Sequence, residues 1–213
     1  MWVWEQPSFR LYEDGTVIFR IYTGGDEIPP YSVAKLTEEQ RDEFIQFALR
    51  DGGLASGDRK YPTNVDGGGT VFLKLDSPLA KVNVSYGDLA DPATGEEAAD
   101  RAKFEKLAAT LYSFDEWLAE RDIAHMAYVP QAYMGGFIRL PADEAAEPAL
   151  PGLAPSDFRP GPTIPLVVIS HDLAHTIARA PEAGALIERR FVDPMGGSFG
   201  VLLRPMLPGD AIG

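Results

Sequence analysis

The run SFRLYEDGTVIFRI, residues 8–21, fixes the register of a β-hairpin from its side chains alone. A two-residue turn at Asp14-Gly15 pairs Leu11 with Ile18 and Phe9 with Arg20, which divides the apolar side chains between two faces. A three-residue loop, 13–15, pairs Leu11 with Val17 and Phe9 with Phe19. Phe9, Leu11, Val17, Phe19 and Ile21 then share one face. A type I turn closed by a left-handed Gly15 supplies that loop. One residue of slip reverses every side chain, so the second register is expected.

A second hairpin follows the same logic. Val71, Leu73 and Leu75 alternate with Phe72 and Lys74, and Ala80, Val82, Val84 and Tyr86 with Lys81, Asn83 and Ser85. A loop over 76–79 predicts the pairs 75 with 80, 73 with 82 and 71 with 84, a sheet with one wet face. Between the hairpins, GGDEIPPYS reads as a connector, and Thr37 with Gln40 forms a capping box that opens a helix running to about Arg50. Gly52-Gly53 ends it. A long helix is predicted over 96–120 from the stripe Phe104, Leu107, Ala108, Leu111, Phe114 and Leu118. Glu97–Arg101 and Arg101–Glu105 read as exposed i,i+4 pairs on its surface.

Residues 1–122 therefore read as a ββ-α-ββ-α domain, and 123–213 as a connector plus a smaller part. Seven of the 18 prolines fall in 141–165, an extended segment. Leu166 to Ile169 is an all-apolar strand, Ser170 caps a short helix, and 186–192 and 199–203 are strands. The fold class is α+β: a mainly antiparallel sheet built from hairpins, covered by two helices, with a smaller C-terminal β-α-β-β part.

Charge and composition then exclude whole classes of function. Against 19 basic residues stand 32 acidic ones, a net charge of −13. Such a surface repels phosphate backbones and anionic lipid, so no nucleic-acid partner is expected. There is no cysteine, hence no disulfide, thiolate metal site or cysteine nucleophile. No apolar run is long enough to span a bilayer. The start, MWVWEQP, has no basic head and no long apolar stretch, so it is not a signal peptide: either the protein stays inside the cell, or these residues begin a mature or trimmed portion.

Three groups of residues could carry chemistry. His171 and His175 stand at i,i+4 in SHDLAH, the spacing of a two-histidine zinc site that His125 or a carboxylate could complete. The competing reading is a pair of solvent-facing imidazoles opposite the stripe of Leu173 and Ile177. Asp51, Asp58, Asp66 and Asp76 lie in and around a Gly-rich loop that could suit calcium, although Asp beside Gly is also ordinary turn chemistry. Trp2, Trp4, Tyr128, Tyr133 and Phe137 lie outside the core stripes and form either a ligand- or partner-facing patch or packing between the two parts. GGSFG, 196–200, matches G-x-S-x-G, but a strand after Ser198 rules out a nucleophile elbow. Ser170, His171 and Asp172 are adjacent and cannot aim at one another as a triad.

The FRLYEDGTVIF hairpin, the LTEEQ helix start, TVFLKL, VSYGDL, YVPQAY and the closing RPMLP together resemble a group of uncharacterised exported bacterial proteins of the lipoprotein type. The resemblance covers most of the chain. It implies an extracytoplasmic or cell-envelope location with a membrane-anchored N-terminus, and carries no activity and no catalytic residues. This sequence departs from the group in having no leader, no anchoring cysteine and no strand before Trp2.

The expectation is therefore a non-enzymatic exported or envelope-associated binding or interaction protein, with an unknown protein or small-molecule partner and no cofactor. Zinc or calcium remain possible additions. Two alternatives stand beside it: a metal-dependent hydrolase using the His pair, and an accessory subunit of a larger envelope assembly.

Overall fold

The computed structural model describes residues 7–22, 29–66, 68–140, 166–178, 185–192 and 198–210, with the side chains of 138–140, 185–192, 198 and 199 left aside. Trp2, Trp4 and the proline segment 141–165 lie outside the described residues. The fold is α+β, with sheets built from hairpins.

The chain divides into two compact units. One is formed by Ser8–Ile21 and Val33–Met126; the other takes in Met1–Pro7, Tyr22–Ser32 and Ala127–Gly213. The segment around residues 22–32 thus groups with the C-terminal part, whereas the sequence placed it in the N-terminal domain. Each unit is described by itself below.

In the first unit, β1 (Phe9–Leu11) and β2 (Thr16–Arg20) pair antiparallel with Phe9 opposite Phe19 and Leu11 opposite Val17. This is the register the apolar pattern demanded. Gly15 takes φ 82°, and the Tyr12 N–H donates to Thr16 O at 2.8 Å to close the loop. Ile18 and Arg20, on the opposite face, are buried as well, so β2 is covered on both sides. The hairpin belongs to a sheet of order β1-β2-β3-β7, with β3 at Tyr31–Lys35 and β7 at His125–Ala127. The sequence reading had assigned β3 partly to a connector.

Helix α1, Glu38–Arg50, opens on the expected capping box. The Gln40 N–H donates to Thr37 Oγ1 at 3.2 Å, and the Thr37 N–H donates to Gln40 Oε1 at 2.9 Å. A 3-10 turn, Leu54–Ser56, leads to β4, Arg59–Tyr61. β4 lies parallel to β6 (Lys81–Gly87), which is antiparallel to β5 (Thr70–Asp76), in the order β4-β6-β5.

The β5–β6 register differs from expectation by two residues. Leu73 faces Val84 and Leu75 faces Val82, with Asp76 opposite Lys81. The loop is 77–80, closed by the Ser77 N–H on Ala80 O at 2.9 Å and by an Asp76–Lys81 ion pair at 3.2 Å. A shift of two leaves every side chain on its own face, so the apolar pattern could not distinguish the two registers.

The long helix is also corrected. It is two helices, α2 (Gly95–Tyr112) and α3 (Phe114–Ala119), broken at Ser113. The Ser113 hydroxyl donates back to Ala109 O at 3.0 Å, a bond that bends helices. The break delivers Phe114 into the core. Its ring stacks on Trp117 at 5.1 Å and meets Phe9, Phe19 and Phe44 edge-on at 4.8–5.2 Å. Edge-to-face aromatic contacts of this kind add about 0.5–1.5 kcal/mol each beyond area burial.

The second unit holds an antiparallel sheet of order β10-β11-β8-β9. Its strands are β8 (Ala132–Leu140), β9 (Leu166–Ser170), β10 (Ala185–Val192) and β11 (Ser198–Pro205). Helix α4, His171–Ile177, follows β9, and the Leu173 N–H donates to Ser170 Oγ at 3.4 Å. Tyr133, Phe137, Ile169, Ala174, Ile177, Val201 and Leu203 form its core. Ser198 begins a strand, β11, and Gly196-Gly197 before it lie outside the described residues. Among the described residues no helix is long and apolar enough to cross a membrane.

Candidate functional site

The apolar stripe of α2 ends in charge. Phe104, Leu107 and Ala108 are buried, and stepping back three and four residues from Phe104 lands on Arg101 and Asp100. Both are buried, at 6% and 7% exposure. The sequence reading had placed Arg101 on the surface; it is in the wall of the unit.

Asp100 ties α2 to β4. Its Oδ2 accepts from Arg59 Nε at 3.1 Å and from the Tyr61 hydroxyl at 2.9 Å. Burial, followed by the hydrogen bond to Asp100, raises the Tyr61 pKa, so the phenol stays a donor at neutral pH. Arg59 reaches Glu96 as well, at 3.5 Å.

Arg101 faces β6. Its Nε donates to Glu97 Oε1 at 2.8 Å and one terminal nitrogen donates to Gly87 O at 2.7 Å. The guanidinium carbon lies 5.6 Å from the Tyr61 ring centre and 5.9 Å from that of Tyr86, within cation–π range. The other terminal nitrogen is buried without an acceptor. An arginine cannot shed its proton to relieve this, and an unmet buried donor is costly.

This arginine stands in the wall of a cleft. After β6 the chain runs through 88–93 before entering α2, leaving a cleft of about 480 Å³ lined by Tyr86, Asp88, Asp91, Arg101, Ala102 and Glu105 among others. Asp88 is held in place by the Gly69 N–H, at 2.7 Å from its Oδ2. Burial, then Glu105, pushes the Tyr86 phenol up to about 12, so it too remains a hydroxyl. The lining therefore offers a guanidinium, a phenol and three carboxylates. It holds no serine, cysteine, lysine or histidine.

The second unit brings together two of the three histidines. The rings of His171 and His175 lie 4.4 Å apart, tilted by 56°. His171 Nδ1 is 3.0 Å from Pro130 O. The buried Tyr133 ring flanks both, at 6.2 and 6.4 Å. His171 is half-buried and His175 exposed. His125 belongs to the first unit, where its ring meets Phe19 edge-on at 5.7 Å. Among the described residues no three His, Asp or Glu side chains gather as a ligand set.

The aspartates singled out for calcium serve separate contacts. Asp58 accepts from the Asn83 N–H at 2.8 Å, Asp76 pairs with Lys81, and Asp51 faces Lys106 at 3.7 Å. Asp66 is exposed in a turn. The aromatic patch also resolves into other roles. Tyr133 and Phe137 are core residues, and Tyr128 is half-buried with its hydroxyl donating to Met206 O at 3.1 Å. Sequence reasoning missed Asp100 and Arg101, yet the backward extension of the α2 stripe was there to be followed.

Comparison with known proteins finds no matching family, no similar curated protein and no similar solved structure.

Proposed function

We propose that the chain is a non-enzymatic binding protein that takes a small ligand in the cleft beside Arg101. The observation that carries this reading is the buried, permanently charged guanidinium with one donor unfilled in the wall of a cleft of about 480 Å³. A ligand oxygen, from a carboxylate or a carbonyl, is what that donor lacks. Asp88, Asp91 and Glu105 around it favour a ligand that also bears positive charge. A zwitterion of amino-acid type meets both demands. The resemblance of the sequence to exported lipoprotein-type chains supports an envelope location, where scavenging such solutes or serving a larger assembly as a binding subunit are both in keeping.

The test is a thermal-shift titration of the full chain with free amino acids, primary amines and simple carboxylates. A bound ligand raises the melting temperature as its concentration exceeds its dissociation constant. Zwitterions are expected to stabilise the wild type and to lose that effect in Ala102→Trp, which fills the cleft from an exposed position. An unchanged response in Ala102→Trp, or amines and carboxylates acting as well as zwitterions, overturns the reading.

A further inference from the structure

Strand β5 carries an inference independent of any ligand in the cleft. In the order β4-β6-β5 it stands at the edge of its sheet, and among the described residues no strand pairs with its outer side. The two ends of its ladder with β6 show which backbone groups that side presents. The Asp88 N–H donates to Gly69 O at 3.1 Å, and the Ser77 N–H donates to Ala80 O at 2.9 Å. Backbone groups alternate between the two sides of a strand, so those of the odd positions Val71, Leu73 and Leu75 face β6. The N–H and C=O groups of Thr70, Phe72, Lys74 and Asp76 point outward.

Sheet edges are usually blunted by a short strand, a proline, a bulge or an inward-pointing charge. β5 has none of these. It runs for 7 residues without proline and pairs with β6 in unbroken register. Its core face is Val71, Leu73 and Leu75, of which the first and last are only partly buried. On the other face Phe72 is 65% exposed.

The strand is complementary to a second copy of itself. Antiparallel pairing about a two-fold axis at Leu73 sets Thr70 opposite Asp76, Val71 opposite Leu75 and Phe72 opposite Lys74. Each outward N–H and C=O then meets a partner, and the apolar face continues from one copy into the next. Phe72 lies beside the Lys74 ammonium of the other copy, a cation–π arrangement. A slip of two residues one way sets Lys74 against Lys74, which like charge disfavours. The same slip the other way runs Leu75 and Asp76 onto Gly69 and Gly68, outside the strand. Charge points to the same place. At −13 the chain as a whole repels its own copy, whereas β5 carries one base and one acid, Lys74 and Asp76, and adds nothing to that repulsion.

We propose that β5 is a homodimer contact, through which two copies join edge to edge along Thr70–Asp76 and extend their sheets into one.

The test uses the full chain. Sedimentation equilibrium at micromolar to submillimolar concentration is expected to show a dimer. Phe72→Lys, at an exposed position, sets like charges opposite one another twice across the two-fold axis and is expected to weaken the dimer at least about tenfold. Adding Lys74→Glu to that variant makes both pairs attractive and should restore it. The chain has no cysteine, so an introduced one has no rival. Phe72→Cys and Lys74→Cys chains, mixed and oxidised, should cross-link to each other in preference to themselves, because directly opposed residues of this kind have Cα atoms about 5.5 Å apart. A monomer throughout that concentration range, a dimer indifferent to Phe72→Lys, no recovery on adding Lys74→Glu, or equal cross-linking of each cysteine variant to itself overturns the proposal.

Discussion

Replacing Arg59 should cost more stability than replacing Asp100, although the two share one ion pair. The reason is where each group sits. The Asp100 side chain is 9% exposed and that of Arg59 is 31% exposed. Arg59→Met leaves a nearly buried carboxylate with the Tyr61 hydroxyl as its remaining donor from β4, and stranding one member of a buried pair costs about 3 kcal/mol or more. Asp100→Ala removes two hydrogen bonds to a charged acceptor, gross about 1.5–3 kcal/mol each. It also relieves the desolvation of the carboxylate, and it leaves Arg59 free to turn to water and to Glu96. The net cost is about 1–2 kcal/mol. The double variant should cost about 2 kcal/mol, well short of the sum, because removing the acid cures the defect made by removing the base. Urea unfolding followed by circular dichroism reads these differences as midpoint shifts at constant slope. Amide exchange at the β6 residues opposite β4 localises the effect. An Arg59→Met cost below about 1 kcal/mol, the value of a surface pair, would refute the claim that Asp100 is effectively buried.

Three further substitutions test other links. A Cβ on Gly87 would stand 2.5 Å from the backbone nitrogen of Thr63 and 2.7 Å from its Cα; backbone cannot rotate away, so Gly87→Ala should destabilise by about 1–3 kcal/mol and shift the amide resonances of 62–69 in an NMR comparison. The Asp14 carboxyl is lowered to about 2, first by its hydrogen bond from Lys35 and then by Thr16. A depressed carboxyl stabilises above its unfolded value of 3.8 and loses that contribution as pH falls toward 2. Because the group is largely exposed, Asp14→Asn should cost under about 1 kcal/mol at pH 7 and progressively less as pH falls through about 2, a convergence that acid-to-neutral melting curves of the two proteins would show. Thr37→Ala removes one half of the capping box and should cost about 1 kcal/mol, read from thermal unfolding, with Thr37→Ser restoring it.

What could be read from the sequence was whatever one face of one element decides. The β1–β2 register followed because a slip of one residue would have reversed Phe9, Leu11, Val17, Phe19 and Ile21 together. The β5–β6 register did not, because a slip of two reverses nothing. Strand β8 was not anticipated, because Gly135-Gly136 interrupt its apolar pattern. In the sheet, Gly135 pairs with Val167 of β9, and a Cβ on it would collide with the side chain of Ile169, two residues along that strand. The glycine makes room for a neighbouring strand's side chain and does not mark a turn. β4 was hidden for the opposite reason: Arg59-Lys60-Tyr61 carries no apolar pattern, and its place beside β6 comes from a parallel ladder and from Asp100, 39 residues beyond Tyr61.

The cleft escaped because its wall breaks the pattern by which a helix is read. An amphipathic stripe is recognised by apolar residues, and α2 places an acid and a base where the stripe should continue. Hydrophobic residues at 100 and 101 would cover β4 and β6 without the desolvation that buried charges incur, and such replacements are often neutral or stabilising. Asp100 has a structural role that offsets its burial, since one carboxylate oxygen fastens β4 through Arg59 and Tyr61. Arg101 has no such complete account. Glu97 and Gly87 take two of its nitrogens, two aromatic rings face its guanidinium, and the third nitrogen remains unmet. A methionine of similar length would fill the same volume without leaving a donor idle. What a methionine could not do is place a fixed positive charge in the wall of the cleft.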